Sequence, residues 1–167
     1  MRFDKLYLQN FRCYDELELD FDKNMTVIVG ENGKGKTAIL DALAISLEPY
    51  LRAFGCKGRN MSERDVRRIK DAGDEEKLRV LRMKSKYPVS IKVEGAHEGV
   101  SFTWSRELKS ERGRTTSNNA KELADYGKNL YEGINGAEDE KIILPVFAYY
   151  GTSRMWNDSK LLGKGKK

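Results

Sequence analysis

The chain has 167 residues, of which 39% are hydrophobic and 34% charged, with a formal net charge of +5 at pH 7. These values fit one ordinary domain, or one lobe of a larger domain, with a highly charged surface around a single core. They argue against a membrane protein, because no apolar run approaches the length of a span and the first residues, MRFDK, carry no signal-peptide core, so we expect a cytoplasmic protein.

Three strands are predicted before the first helix. Residues 3–8 and residues 17–21 alternate between apolar and polar side chains, which is the pattern of strands with one face in water. Residues 10–15 join these two strands. Residues 25–29, MTVIV, are apolar and β-branched, and this short run predicts a buried strand.

A phosphate-binding loop follows the third strand. The segment GENGKGKT, from Gly30 to Thr37, fits the pattern G-x-x-x-x-G-K-[ST]. Its glycines let the backbone curl so that N–H groups approach phosphate oxygens, Lys36 supplies positive charge at the β- and γ-phosphates, and the Thr37 hydroxyl is the predicted Mg²⁺ ligand. The residues predicted to bind the nucleotide here are Gly30, Glu31, Asn32, Gly33, Lys34, Gly35, Lys36, Thr37 and Ala38.

A helix is predicted from residue 36 to about residue 54, ended by Gly55 and Gly58, and Pro49 is expected to kink it or to close it early. Its broad apolar face is typical of a helix packed on a sheet. The order strand, glycine-rich turn, helix points the free N–H groups of the helix at the phosphates. The alternative interpretation of residues 30–37 is a glycine- and lysine-rich surface turn, which the flanking strand and helix disfavour.

The middle of the chain predicts a short helix and a hairpin. Ser62 is a suitable N-cap for a helix over residues 63–72. Residues 87–94 and 100–107 alternate on either side of a glycine-bounded turn, which indicates a β-hairpin. His97 falls in that turn and is predicted to be a plain surface residue.

The last third of the chain predicts a loop, a helix and a strand. Residues 110–119 are polar and predict a loop, and residues 119–131 predict a helix that Gly133 and Gly136 stop. Residues 141–150, KIILPVFAYY, predict a second buried strand.

Cysteine and histidine offer no metal chemistry. Cys13 and Cys56 are far apart in the sequence, and His97 is the only histidine. We therefore expect two reduced thiols and no zinc site.

A basic stretch lies between Lys57 and Lys86, where eleven Lys and Arg residues stand against six Asp and Glu residues. The stretch is either an electrostatic footprint for nucleic acid or an ordinary solvated surface. The mixed signs of SERDVRRI, residues 62–69, favour the solvated surface.

The segment LYLQNFRCYDELELDFDKNMTVIVGENGKGKTAILDAL resembles the N-terminal lobe of ABC-type ATPases of the SMC, RecF and double-strand-break-repair kind. In those proteins a strand ending in N-F-[RK] precedes a second strand and the loop G-x-N-G-x-G-K-[ST]. The later segment ILPVFAYYGTSRMW resembles the predicted ATP-binding proteins of bacterial defence islands, such as the Septu-type anti-phage ATPase that also accompanies some retrons. The resemblance implies an α/β P-loop NTPase fold with a β-rich N-terminal part, and ATP and Mg²⁺ as ligands.

The resemblance also implies a domain organisation. Residues 1–155 correspond to a partial ABC-type ATP-binding domain, its first lobe. Residues 56–140 are then an insertion of helices and a β-hairpin within that lobe. Residues 156–167 are a tail that runs toward a missing second half.

The resemblance gives Arg12 a role. In the repair-type ATPases the arginine of N-F-R reaches the bound nucleotide, and Arg12 holds that position in this sequence. A guanidinium there can fork onto phosphate oxygens. The alternative is a surface arginine at the end of a strand.

Several groups that hydrolyse ATP in this family have no counterpart in the chain. The glutamine that binds Mg²⁺ and the attacking water is absent, because Gln9 is the only glutamine and the predicted turn over residues 151–154 has none. No apolar strand after the loop ends in the Asp-Glu of a Walker B motif, and the signature Ser-Gly-Gly that clamps the γ-phosphate across a dimer is missing. We therefore expect the chain to bind ATP but to carry no catalytic residue for its hydrolysis.

Three functions remain open. The first is the ATP-binding lobe of an anti-phage defence ATPase, which needs a second lobe or protomer, pairs as a homodimer through the nucleotide, and controls an effector such as a nuclease. The second is a fragment of an SMC/RecF-like DNA-maintenance ATPase, with DNA or RNA as its partner. The third is a nucleotide-dependent interaction module without ATPase activity.

Overall fold

The computed structural model describes residues 1–70, 83–136 and 142–151. In chain order the elements are β1 (Arg2–Phe11), β2 (Tyr14–Asp20), α1 (Lys36–Ser46), α2 (Glu48–Ala53), a 3-10 turn (Glu63–Asp65), β3 (Arg68–Lys70), β4 (Met83–Ser85), β5 (Val89–His97), β6 (Val100–Leu108), a second 3-10 turn (Asn118–Ala120) and α3 (Lys121–Gly136). No helix in these ranges is long and apolar enough to cross a membrane. The predictions for residues 152–154 and 156–167 lie outside the described residues.

Four antiparallel strands in the order β2-β1-β5-β6 form the main sheet. The hairpin predicted in the middle of the chain is confirmed as β5 and β6, which are joined by Glu98 and Gly99. Both turn residues have positive φ, 49° and 78°, as a two-residue type I′ turn requires. This hairpin pairs directly with β1, so it extends the N-terminal sheet, while the assignment of residues 56–140 as an insertion stays a prediction.

A separate two-stranded ribbon is formed by β3 and β4. It continues from the end of β1, because the N–H of Arg67 donates to the Asn10 carbonyl at 2.9 Å and the N–H of Lys86 donates to the Arg67 carbonyl at 2.8 Å. The exposed basic side chains of the ribbon and its flank are Arg68, Lys70, Lys84 and Lys86. Their contact with nucleic acid stays a prediction.

The core lies between one face of the main sheet and the helices. Every second residue of β5 is buried, and β6 adds Phe102 and Trp104 to the same face. Two β6 side chains also hold the C-terminal end of α1: Trp104 Nε1 donates to the Ser46 carbonyl at 3.0 Å, and Arg106 donates to the Ile45 carbonyl at 2.9 Å. Because a helix end leaves such carbonyls without partners in the helix, these bonds fix α1 on the sheet.

The predicted long helix over residues 36–54 is two helices, α1 and α2, which are separated at Leu47. Pro49 lies in the first turn of α2, so the expectation that it closes the first helix early is confirmed. By contrast, Gly133 does not stop α3 and lies within it. A Cβ at Gly133 would lie 2.7 Å from Cδ1 of Ile142, so the glycine leaves room for the last described segment.

The two runs predicted as buried strands, residues 25–29 and 141–150, were wrongly assigned. Residues 25–29 and the described residues 142–150 form no strand, and Val29 and Val146 are 87% and 93% exposed. Neither run pairs with another strand in the described ranges. An apolar run is buried only where neighbouring strands or helices cover it, and the apolar pattern alone does not supply that cover.

The predicted helix over residues 63–72 is also wrong for residues 63–70, and its last two residues, 71 and 72, lie outside the described residues. Ser62 caps only a three-residue 3-10 turn, and the chain then extends into β3. The Asp65 carboxylate accepts hydrogen bonds from the N–H and the hydroxyl of Ser62 at 3.0 and 3.1 Å, which closes the turn. Val66 is buried and pairs with Phe11, so tertiary pairing overrides the local helix signal.

His97 is not the surface residue that the sequence predicted. It is the last residue of β5, it is 5% exposed, and its Nδ1 lies 2.7 Å from the Tyr126 hydroxyl on α3. Strand alternation places it on the core side of the sheet. Burial and the charge of the N-terminal amine lower the pKa of His97, against an opposite effect of Glu98.

Gly95→Ala should destabilise the sheet. Gly95 lies opposite β1 where the register shifts between Phe3 and Lys5, and a Cβ at Gly95 would lie 2.4 Å from the Arg2 carbonyl oxygen. Because backbone must move to relieve this contact, we expect the free energy of unfolding to fall by about 1–3 kcal/mol in urea denaturation. Gly136→Ala is the matched control, since nothing lies within 4 Å of its Cβ, and equal losses in both variants would contradict the explanation.

Candidate functional site

Two glycines in the left-handed region shape the loop that precedes α1. Gly33 has φ 83° and Gly35 has φ 92°. Gly35 also approaches the β1–β2 turn so closely that a Cβ there would lie 2.4 Å from Cys13 Sγ and 2.8 Å from the Tyr14 hydroxyl oxygen. The Tyr14 hydroxyl donates to the Lys34 carbonyl at 3.3 Å. The loop therefore rests on that turn.

Lys36 begins α1 and folds its side chain back over the loop. Its Nζ donates to the Gly30 carbonyl at 2.6 Å and to the Glu31 carbonyl at 2.8 Å. These bonds hold the ammonium group inside the curve of the loop. Because the partners are neutral carbonyls, a negatively charged phosphate oxygen can replace them and form a stronger bond with the ammonium group.

The backbone N–H groups of Gly33, Gly35, Lys36 and Thr37 donate no hydrogen bond to any described part of the chain. They lie at the N-terminal end of α1, where the helix dipole favours an anion. Ala38 differs, because its N–H already donates to the Gly35 carbonyl at 2.8 Å. Its contact with a nucleotide stays a prediction.

These groups fit the triphosphate of a nucleotide. Free N–H groups and an ammonium group at a helix N-terminus are the donors that phosphate oxygens need. Thr37 is half-buried in the first turn of α1 and offers one hydroxyl oxygen to Mg²⁺, an ion that keeps several waters and needs few protein ligands. The Glu31 and Lys34 side chains are 84% and 70% exposed, and Asn32 is exposed as well. Because these side chains extend into solvent, the loop offers a nucleotide mainly its backbone groups.

A cluster of four charged side chains lies beside the loop, and we call Arg12, Asp41, Arg59 and Asp65 the arginine–aspartate cluster. Arg12 contacts Asp41 Oδ2 at 2.5 Å and Asp65 Oδ1 at 2.9 Å. Arg59 contacts the same two oxygen atoms at 3.5 and 2.7 Å. Asp65 is fully buried and Asp41 is 9% exposed, so both carboxylates depend on these partners.

The cluster places Arg12 close to the predicted nucleotide site. Asp41 lies one helical turn after Thr37 on α1, so the Arg12 guanidinium is held about one turn from the predicted Mg²⁺ ligand. Burial opposes the charge of Arg12, but hydrogen bonds and charges of Asp65 and Asp41 outweigh it and raise the pKa of the guanidinium. Arg12 thus binds two carboxylates here, and its contact with a nucleotide stays a prediction.

The backbone that carries Arg12 is strained. Asn10 and Arg12 both have φ 52°, a conformation that costs a non-glycine residue roughly 1–2 kcal/mol. Two long-range bonds hold this turn: Asn10 Nδ2 donates to the Pro88 carbonyl, and the Arg12 N–H donates to the Asp65 carbonyl, both at 2.9 Å. Strain of this kind concentrates at binding sites, which agrees with a functional role for the turn.

Sequence reasoning missed Asp41, Arg59, Asp65 and Tyr149. The Tyr149 hydroxyl donates a hydrogen bond to Asp41 Oδ1, which holds the last described segment against α1. Burial and this bond raise the pKa of Tyr149 to about 12. One signal was available in the sequence, since Asp41 interrupts the otherwise apolar AILDALAI, and a buried acid requires a basic partner.

Asp65→Ala should destabilise the protein strongly. The substitution leaves Arg12 and Arg59 with Asp41 alone and removes the closure of the Ser62 turn, so we expect a loss of about 3 kcal/mol in the free energy of unfolding. Asp15→Ala is the control, because the Asp15 side chain is 72% exposed and its pair with Arg67 is worth less than about 1 kcal/mol. Equal losses in urea denaturation would show that the cluster is not a structural anchor.

A family model described as "AAA domain" matches residues 5–166. The DNA replication and repair protein RecF of Lactococcus lactis subsp. cremoris (strain MG1363) is 30% identical over 126 residues, which are 75% of this chain and 30% of that protein. RecF of Oceanobacillus iheyensis is 38% identical over 66 residues, 40% of this chain and 16% of that protein. Structural maintenance of chromosomes protein 6A of Arabidopsis thaliana is 42% identical over 55 residues, 33% of this chain and 4% of that protein. The chain thus spans less than a third of the length of these relatives.

One similar solved chain comes from work described as "Structural biochemistry of ATP-driven dimerization and DNA stimulated activation of SMC ATPases", with a TM-score of 0.49 and 20% identity over 75% of this chain and 76% of that chain. The family match over residues 5–166 includes the sheet, the loop and all three described helices. The predicted fold class, an α/β P-loop NTPase lobe, is confirmed. The chain belongs to the AAA domain family, and it is similar to the RecF and SMC proteins named above.

Proposed function

We propose that this chain is the Mg²⁺–ATP-binding lobe of an SMC/RecF-like ATPase. The observation that carries the proposal is the loop before α1, where the Lys36 ammonium group and free backbone N–H groups lie together at a helix N-terminus. Trp104 and Arg106 fix the other end of α1 to the sheet, so these donors are in place before a nucleotide arrives. Donors that are already positioned bind an anion with little rearrangement.

Each part of the loop has its own role in this proposal. The free N–H groups bind phosphate oxygens, and Lys36 exchanges the carbonyls of Gly30 and Glu31 for oxygens of the β- and γ-phosphates. Thr37 holds Mg²⁺, which when bound neutralises part of the phosphate charge. Arg12 adds a forked contact from the β1–β2 turn.

The chain on its own binds ATP without hydrolysing it. Hydrolysis needs a group that positions and activates water. Of the carboxylates next to the loop, Glu31 is 84% exposed, and Asp41 is committed to two arginines and to Tyr149. Together with the absence of a Walker B motif from the sequence, this supports a division of labour in which a second lobe or protomer supplies the catalytic acid.

Two exposed apolar runs support the need for that second lobe. Residues 25–29 and 142–150 carry side chains such as Val29 and Val146 that are more than four-fifths exposed. Exposed apolar surface of this kind is typical of a binding site for another polypeptide segment. A second lobe that adds strands beside these runs would cover them and complete the nucleotide site.

The biological role has two candidates. The RecF relatives are named DNA replication and repair proteins, and this favours a DNA-maintenance ATPase that binds DNA. The segment ILPVFAYYGTSRMW favours an anti-phage defence ATPase that controls an effector such as a nuclease. Salt-dependent binding of DNA by the purified chain would support the first role. Copurification of a nuclease with the protein would support the second.

A module that binds nucleotide but never hydrolyses it is the remaining alternative. It makes the same contacts with ATP as the leading proposal, so binding does not separate the two. Turnover does separate them, because the module stays inactive even when a second lobe that carries a Walker B acid is supplied.

Lys36→Ala should abolish binding of Mg²⁺–ATP with little change in stability. The Lys36 ammonium group contacts only loop carbonyls, so its removal leaves the core intact but takes away the charge at the phosphates. Isothermal titration calorimetry measures the affinity, and urea denaturation measures the stability. Lys23→Ala, at an exposed position before the loop, is the control and should bind as tightly as the parent. Unchanged affinity in Lys36→Ala would refute the proposed site.

Phosphate release by the 167-residue chain should be no faster than release by its Lys36→Ala variant. General-base or water-orienting help is worth about 10²–10⁴-fold in rate, and the described residues offer no group placed to give it. Addition of a second lobe with a Walker B acid should raise the rate in the parent and not in Lys36→Ala. Robust turnover by the parent alone, lost in the variant, would contradict the division of labour.

A further inference from the structure

The two arginines of the arginine–aspartate cluster duplicate each other. Arg12 and Arg59 both contact Asp41 Oδ2 and both contact Asp65 Oδ1. Arg12 uses three nitrogen atoms on these carboxylates, since its Nε also donates to Asp65 Oδ1 at 3.1 Å. A single arginine would be enough to bridge the two acids, so the second one requires an explanation.

Arg59 is held in place independently of Arg12. The Arg59 carbonyl and the Asn60 side chain accept hydrogen bonds from buried Arg106 at 3.5 and 2.6 Å. Arg106 in turn bonds the Ile45 carbonyl near the end of α1. The segment that carries Arg59 is therefore tied to the sheet and to α1, whereas Arg12 lies on a strained two-residue turn beside the loop.

This difference decides what happens when Arg12 leaves the carboxylates for another anion. With Arg59 present, Asp41 and Asp65 keep a cationic partner on the same oxygen atoms. Without Arg59, the departure of Arg12 would leave two buried carboxylates without a positive partner, which is strongly unfavourable. Arg59 thus lowers the free-energy cost of moving Arg12.

We propose that Arg59 is a positioning residue for nucleotide binding: it stays on Asp41 and Asp65 and so frees the Arg12 guanidinium to exchange these carboxylates for phosphate oxygens. Arg59 itself does not touch the nucleotide. The proposal rests on the function proposed above, in which Arg12 binds the nucleotide. It adds that Arg12 reaches the phosphates only because a second arginine replaces it.

A double-mutant cycle on Mg²⁺–ATP affinity tests this proposal. In the parent background, Arg12→Ala should weaken binding roughly 10- to 100-fold, the range of a charge-assisted contact. Arg59→Gln should weaken binding by a similar factor, because Arg12 is then retained by the carboxylates. Arg12→Ala in the Arg59→Gln background should weaken binding less than about twofold further, because the contact is already lost. Arg2→Gln is the control, since the Arg2 side chain is about as exposed as that of Arg59 but pairs with the partly exposed Asp4, and it should not change the affinity.

Replacing one carboxylate of the cluster by a neutral amide gives a second readout, which a merely structural role of Arg59 would not change. Asp41→Asn in the Arg59→Gln background weakens the hold on Arg12, so nucleotide affinity should recover by several-fold. If Arg59→Gln fails to fold, as judged by circular dichroism, then Arg59→Lys replaces it in the cycle. Lysine keeps the charge but cannot bridge both acids, so it should reproduce part of the loss and the same dependence on Arg12.

The outcomes separate this proposal from the proposed function. If Arg12→Ala and Arg59→Gln lower the affinity by independent, multiplying factors, or if Arg59→Gln has no effect, the exchange is refuted while the nucleotide site stands. If the parent does not bind Mg²⁺–ATP, or if Lys36→Ala binds as the parent does, the proposed function falls and the exchange falls with it. If Arg12→Ala alone has no effect, the loop binds the nucleotide without Arg12 and the exchange is refuted.

Discussion

The position of α1 is the constraint on which the rest of the site depends. At its C-terminal end, Trp104 and Arg106 of β6 bond the last carbonyls of the helix. One turn after the loop, Asp41 is bonded to Arg12, which belongs to the turn between β1 and β2. The helix is therefore fastened to both hairpins of the sheet. The direction of its N-terminus, and with it the direction of the loop's N–H groups, follows from these two attachments.

Burial explains why these attachments are strong. Arg106 is 1% exposed and Asp65 is fully buried, so neither side chain can exchange its partner for bulk water. Each charge is balanced within a few ångströms, Arg106 by Glu48 and the aspartates by Arg12 and Arg59. An arrangement of the chain that separated one of these pairs would leave a buried charge without a partner, which costs about 3–5 kcal/mol, so the pairs oppose such arrangements. The exposed charges of the ribbon impose no such arrangement.

The sequence predicted those parts of the fold that depend on local chemistry. The loop, the hairpin of β5 and β6, and the break before Pro49 each follow from glycine, proline or alternation over a few residues. The failures depend on distant partners. Residues 25–29 have the composition of a buried strand but pair with no other strand in the described residues. Residues 66–70 were predicted as helix but are extended, because Val66 pairs with Phe11.

The candidate site divides in the same way. Its backbone donors and Lys36 follow from one contiguous motif, whereas the partners of Arg12 come from α1 and from the segment near Ser62, far apart in sequence. Spacing along one chain does not reveal such a contact. The prediction for His97 failed for a related reason. The sequence around it is typical of a turn, whereas His97 belongs to β5 and contacts Tyr126 on another element.

The close approach of Gly35 to the β1–β2 turn restricts which substitutions this part of the sequence can accept. Position 35 needs glycine for its backbone angle, and it needs glycine again because Cys13 and Tyr14 occupy the space of a Cβ. Position 35 therefore accepts no other residue, and any change in this contact must come from position 13 or 14. A larger side chain at position 13 would clash with the loop, because Gly35 has no side chain that could move aside. Related sequences that keep the glycine should therefore keep a small residue at position 13.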